Sequence, residues 1–233
     1  MQKIAIVTGG NRGIGKSISY ELAKEGFNVV ISSKKQKESS KAARELENFS
    51  GVKSIGIAAD VRDKTQVQKL IRNTIKEFKQ IDVLINNAGI IAVKEITKTS
   101  EKDWDSILDT NLKGVYLCSK EVLPSMISKK SGCIINISSS SGKSGNKGLT
   151  AYCASKFGVN GFTESLASEV SQYGITVVAF CPRSVATDMQ KQVRGKNEYE
   201  KHKDNLIQPI KVASMVIDAI NGKYNSGSTI NVC

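Results

Sequence analysis

Short uninterrupted apolar runs recur from one end of the chain to the other, each followed by a turn and a longer amphipathic stretch. The runs are Lys3–Thr8, Phe27–Ser32, Val52–Ala58, Ile81–Asn86, Cys133–Ser138, Ile175–Cys181 and Ser228–Val232. They are rich in Val and Ile and do not alternate apolar with polar, the pattern of strands covered on both faces. The stretches between them carry helical spacing, as in Ile14, Ile18 and Leu22, or Val67, Leu70, Ile71, Ile75 and Phe78. Seven strands alternating with helices predict an α/β fold, a doubly wound parallel sheet with helices on both faces.

No linker divides the chain, so residues 1–233 read as a single domain. One stretch, Thr187 to Gln208, is dense in charge and poor in apolar residues. It reads as an irregular, mobile lid after the sixth strand, over about 187–208. No apolar run approaches the roughly 20 residues needed to cross a bilayer. The first strand is expected to begin at Lys3, so no leader is expected. The five cysteines (Cys118, Cys133, Cys153, Cys181, Cys233) are odd in number and form no CxxC pair. A zinc ribbon or disulfide framework is therefore not expected, and the expected location is the cytoplasm. The formal charge of +12 raises the question of an anionic partner. The basic residues are scattered and match no nucleic-acid motif, so neither nucleic acid nor membrane is an expected partner. The lone His202 has no metal-ligand neighbours in sequence, and no metal site is expected.

The first strand runs directly into Thr8-Gly9-Gly10-Asn11-Arg12-Gly13-Ile14-Gly15, and a helix follows. Glycines let the backbone turn tightly and approach a pyrophosphate, while the helix N-terminus offers free N–H groups and a positive dipole end. At the first strand–helix junction of an alternating sheet, this turn predicts nucleotide binding.

The Thr-Gly-x-x-x-Gly-x-Gly spacing resembles that of the short-chain dehydrogenase/reductase family. Asn86-Asn87-Ala88-Gly89 at the end of the fourth strand and Asp60-Val61 at the end of the third extend the resemblance, which covers Lys3 to Val232. It implies a Rossmann-type fold. The implied cofactor contacts come from Gly9, Asn11, Arg12, Gly13, Ile14 and Gly15 in the turn, and from Asp60 and Val61 at the adenine. Asn87, Ala88, Gly89, Tyr152, Lys156, Val185 and Thr187 complete the implied set. NAD-specific proteins of this fold usually place an acid at the end of the second strand. Here that strand ends Ile31-Ser32-Ser33-Lys34-Lys35, and the first acid is Glu38. Ser33, Lys34 and Arg12 suit a 2′-phosphate, so the expected cofactor is NADP(H).

Tyr-x-x-x-Lys, the family's signature, occurs four times here, at Tyr20, Tyr116, Tyr152 and Tyr199. Only Tyr152 has a serine thirteen residues earlier, Ser139, just past the fifth strand. The resemblance implies that Ser139, Tyr152, Lys156 and Asn111 form the catalytic set. Ketone reduction needs a hydride on carbon and a proton on oxygen. Tyr152 is the implied general acid, and Lys156, one helical turn on, is expected to lower its pKa and to hold the nicotinamide ribose. Ser139 is expected to position the substrate carbonyl, and Asn111 to support a relay water.

One position departs from the family. Arg183 follows Pro182 where glycine is usual, and it meets either an anion or solvent. The chain also ends at Cys233, where many relatives continue. The leading expectation is an NADPH-dependent carbonyl reductase resembling bacterial 3-oxoacyl-(acyl-carrier-protein) reductases. Its partner would then be an acidic acyl carrier protein, drawn to Lys129-Lys130, Lys191, Arg194 and Lys196 if these line the cleft mouth. The alternatives are a reductase of small free ketones, diketones or sugars, and a non-catalytic NADP-binding sensor. A homotetramer, or failing that a homodimer, is expected through the helices holding Trp104–Lys120 and Ala151–Gln172.

Overall fold

The computed structural model describes residues 2–233; Met1 lies outside them. Seven strands, β1 (Ile4–Thr8), β2 (Asn28–Ser33), β3 (Ser54–Ala58), β4 (Val83–Asn86), β5 (Gly132–Ile137), β6 (Ile175–Pro182) and β7 (Thr229–Val232), lie in one sheet. The order is β3-β2-β1-β4-β5-β6-β7, and every pairing is parallel. All seven expected strands are present, with ends displaced by no more than two residues. The long crossovers that parallel pairing demands are helical. They are α1 (Gly13–Lys24), α2 (Gln36–Ser50), α3 (Lys64–Phe78), α4 (Glu101–Leu108), α5 (Gly114–Ser128), α6 (Thr150–Val170), α7 (Asp188–Arg194), α8 (Lys196–His202) and α9 (Pro209–Ile220).

Burial on both faces explains the unbroken apolar runs. In β1, Ala5 and Val7 join one core with Ile18, Leu22, Phe180 and Val216. Ile6, between them, joins the opposite core with Leu70, Leu84, Met126 and Ile134. Successive side chains leave a strand on opposite faces, so each strand feeds both layers. The strand order reverses between β1 and β4, and a crevice opens there beyond the carboxyl ends of the strands.

Two helical stretches differ from the sequence reading. The segment expected as one helix from Trp104 to Lys120 is α4, a five-residue π turn (Asp109–Lys113), and then α5. Ser100 and Asp103 start α4 with reciprocal side-chain-to-backbone hydrogen bonds. The stretch expected to be irregular, Thr187 to Gln208, contains α7 and α8, and Thr187 caps α7 through the Gln190 N–H. Polar sequence here signals exposure of short helices, not loss of helix. Among the described residues no helix is long and apolar enough to cross a membrane.

Candidate active site

The glycine turn is held from below by β4. Thr8 Oγ1 accepts from the Asn87 and Ala88 N–H groups at 3.0 and 3.1 Å and donates to the Ile85 carbonyl. Asn87 Nδ2 donates to the Thr8 and Gly9 carbonyls at 2.9 and 3.1 Å. Gly9 has φ +63°, and a Cβ there would sit 3.0 Å from Asn87 Nδ2 and 3.1 Å from Ala88 Cα. The motifs at the ends of β1 and β4 are thus one cross-linked platform. No side chain caps α1 and no acid occupies its first turn, which leaves its N–H groups and positive end free for an anion.

A cavity of about 830 Å³ lies over this platform. Its lining includes Gly9, Asn11, Arg12, Gly13, Ile14, Ser33, Lys34, Val61, Asn87, Ala88, Gly89, Ser139, Tyr152, Lys156, Val185 and Thr187, each of them expected from sequence. Gly15, Asp60 and Asn111, also expected, are absent from the lining. Gly15 is a packing residue: a Cβ there would fall 2.4 Å from the Gly9 carbonyl and 2.5 Å from Asn87 Nδ2. The Asp60 carboxylate is taken by Arg62, with Nη2 at 2.6 Å, and by Lys34 at 3.5 Å; the Arg62 hydrogen bond holds its pKa below the usual range. Asn111, in the π turn, is fully engaged in tying the loop after β4 to α6. Its Oδ1 accepts from Ile90 N–H at 2.8 Å, and its Nδ2 donates to the Ile90 carbonyl and to Ser155 Oγ.

At one end of the cavity β5 and α6 bring Ser139, Tyr152 and Lys156 together. Ser139 Oγ accepts from the Ser141 N–H at 3.1 Å, which fixes the serine in the turn after β5. Lys156 is buried, donates Nζ to the Ile137 carbonyl at 2.8 Å, and lies 5.7 Å from the centre of the Tyr152 ring. Burial brings its ammonium down to about 8. Burial also raises the Tyr152 phenol, against the opposing pull of a hydrogen bond from Ser139. The expected lowering of the phenol by Lys156 is therefore not the balance of this geometry, where Nζ is committed to a backbone carbonyl and desolvation dominates.

The other Tyr–Lys pairs are elsewhere. Lys120 donates to the exposed Tyr116 hydroxyl on the surface of α5, Tyr20 packs on Phe49, and Lys191 of α7 lies over Tyr199 of α8. His202 is exposed beside Glu198, and no metal-binding cluster occurs among the described residues. Lys129 is paired with Asp82 at the amino-terminal edge of the sheet, the end opposite the cavity, so it does not flank the mouth.

The far end of the cavity carries Arg12, Ser33, Lys34, Lys35 and Glu38. Sequence reasoning left Glu38 outside the site. The turn into α2 brings it in, where it accepts from Asn11 Nδ2 at 3.2 Å and pairs with Lys35. Ile90, Asn146, Leu149, Gln190 and Val193 were also missed; they sit on loops and in α7, where neither periodicity nor motif marks them.

Residues 3–198 match the sequence profile of the short chain dehydrogenase family. The chain belongs to that family. It is an oxidoreductase that acts on CH–OH and C=O groups, and its cofactor is a nicotinamide dinucleotide. It is 38% identical to the 3-oxoacyl-(acyl-carrier-protein) reductase of a Staphylococcus aureus strain, over 100% of this chain and 97% of that protein. The corresponding Haemophilus influenzae enzyme is 43% identical, over 80% of this chain and 76% of its own. Among solved structures, a variant actinorhodin polyketide ketoreductase with NADPH superposes with a TM-score of 0.93 at 32% identity, covering 100% and 96% of the two chains. Levodione reductase superposes with a TM-score of 0.92 at 25% identity, covering 99% and 95%.

The residues present fit such a cofactor. Ser32 Oγ, at the end of β2 and in the cavity wall, is buried without a hydrogen-bond partner, an unmet polar group of the kind a ligand satisfies. The Gly9–Gly13 turn is a cradle that side chains would fill: a Cβ on Gly13 would meet Thr187 at 3.4 Å.

Proposed function

We propose that the protein is an NADPH-dependent reductase of 3-oxoacyl groups, with acyl thioesters on an acyl carrier protein as the first candidates. The observation that carries this reading is the convergence of Ser139, Tyr152 and Lys156 at one end of the cavity that the glycine turn opens. The relatives named as 3-oxoacyl-(acyl-carrier-protein) reductases support the substrate class. NADP(H) in place of NAD(H) is supported by Arg12, Lys34 and Lys35 lining the adenosine end against the single acid Glu38. Lys34 lies 3.5 Å from Asp60, and a 2′-phosphate would compete for it.

Bound NADPH supplies the hydride that reaches the carbonyl carbon. Ser139 donates to the carbonyl oxygen and orients it. Tyr152 delivers the proton to that oxygen as the negative charge develops. Lys156, nearly neutral-capable at about 8, holds the ribose hydroxyls and returns a proton to the phenol. A protonated Lys156 also stabilises the transient phenolate, while the hydrogen bond from Ser139 works against the burial that raises Tyr152. Asn111 is a positioning residue that fixes Ile90 over the site and Ser155 beneath it.

Initial rates with acetoacetyl-(acyl carrier protein) and each reduced cofactor test the reading. NADPH is expected to give the higher kcat/KM, and Lys34→Asp to narrow or reverse the preference. Equal or better turnover with NADH overturns the cofactor assignment, and no turnover of any 3-oxoacyl compound overturns the substrate class.

A further inference from the structure

Arg183, which stands where relatives usually have glycine, is fixed beside the reacting end of the cavity. Its N–H donates to the Val232 carbonyl at 3.2 Å, which keeps the backbone on the sheet for one residue beyond Pro182. Next to it, β5 and β6 pair in parallel up to Ile137 and Phe180, and the Ser138 N–H donates to the Phe180 carbonyl at 2.8 Å. Continued for two residues, that register would set Ser139 beside Pro182 and Arg183 one step further along the adjacent strand, about 6 Å from Ser139 between Cα atoms at ordinary strand spacing and rise. Both residues line the cavity.

Arg183 is exposed and lines the cavity, and no ion pair or side-chain hydrogen bond among the described residues engages its guanidinium. Asp188 also lines the cavity but lies outside ion-pair distance. The neighbouring lining is neutral: Ser140, Asn146, Leu149 and Gln190. A free guanidinium among amides and hydroxyls is matched by one planar, singly charged acceptor, which it grips through two parallel N–H groups.

We propose that Arg183 reads a carboxylate close to the ketone, so that the enzyme prefers free 3-oxo acids to neutral ketones of the same size. The carboxylate takes the place that the thioester carbonyl occupies in a 3-oxoacyl substrate. It neither gains nor loses a bond: the hydride goes to the ketone carbon, the Tyr152 proton to the ketone oxygen, and the carboxylate leaves unchanged on the 3-hydroxy acid. This rests on the proposed reduction in placing the ketone at Ser139 and Tyr152.

Acetoacetate and methyl acetoacetate form the test pair, differing in charge but hardly in shape. Calorimetry with the protein saturated by NADP⁺, which cannot reduce either ketone, reads binding alone, and NADPH oxidation reads kcat/KM. Acetoacetate is expected to bind more tightly than the ester by roughly ten- to a hundredfold. Arg183→Met should bring the ratio close to one, and Arg183→Lys, which keeps the charge but loses the fork, should fall between. Equal affinities in the unmodified protein, or a preference that survives Arg183→Met, overturn the carboxylate site. A binding preference without turnover of either ketone supports the carboxylate site and counts against the proposed reduction.

Discussion

Replacing Tyr152 by Phe keeps the ring against Lys156 and removes only the proton donor. A fall in kcat of roughly 10²–10⁴-fold is expected, while Tyr116→Phe, on the surface of α5, should leave kcat near its original value. Reversal of the two outcomes would move the acid to Tyr116. Lys156 offers a second, independent readout in the protein without cofactor. Its ammonium titrates near 8 when folded and near 10.5 when unfolded, so between those values the unfolded chain binds more protons. Below pH 8 both states are charged and the burial penalty is present in full. As pH rises towards 10.5 the penalty is lifted, a gain of about 3 kcal/mol from this one group. The buried thiols Cys118 and Cys133, raised to about 12, pull the other way at high pH. The difference between unmodified protein and Lys156→Met in denaturant unfolding isolates the lysine. A difference that stays flat from pH 8 to 10.5 would show that Lys156 is not held in its neutral-prone state.

Between elements, the bond set joining β1 to β4 is the most exposed to a single change. Thr8→Val keeps the shape but strips the acceptor from two N–H groups, and a loss of about 2–3 kcal/mol is expected by chemical denaturation, together with weaker nucleotide binding. A variant with unaltered stability would mean that water replaces the hydroxyl freely. The lid, α7 and α8, has no fully buried residue in either helix. Its amides should exchange quickly alone and slow when NADPH and substrate are both present; equally slow exchange in both states would remove its role as a lid. These elements also mark the limits of reading from sequence. Strands declared themselves because burial on two faces leaves no polar alternation. The glycine turn and the Ser139–Tyr152–Lys156 set were legible because a fixed spacing across a strand–helix junction has few other uses. The π turn at Asp109–Lys113 was not, since an extra residue in a helical ring leaves the apolar spacing on either side intact. Glu38 was passed over for a different reason: which way α2 leaves β2 depends on packing against β3, through bonds such as Gln36 Nε2 to the Gly56 carbonyl at 2.6 Å.

For the whole molecule, large apolar side chains remain uncovered on two neighbouring helices. Tyr116 on α5 and Phe157 on α6 are 42% and 48% exposed, and Phe162 of α6 is only half buried. The expected assembly would cover them, and light scattering should return about four times 25.2 kDa, or twice that mass for a dimer. Phe157→Glu should shift the mass towards one chain, and a monomer before any substitution would refute the assembly. The strand order carries a consequence for how the molecule comes into being. β1, made first, ends in the middle of the sheet with β2 on one side and β4 on the other. During synthesis that interior strand cannot gain its second neighbour before residue 86 has been added, and the nucleotide platform cannot close before Asn87 and Ala88 follow. Beyond β4 the sheet extends at one border only, through β5, β6 and β7, in the order in which the ribosome delivers them. Ser139, Tyr152 and Arg183 lie beyond that point in sequence, so the lining of the cavity's far end, Arg12, Ser33, Lys34, Lys35 and Glu38, is synthesised before the lining of its reacting end.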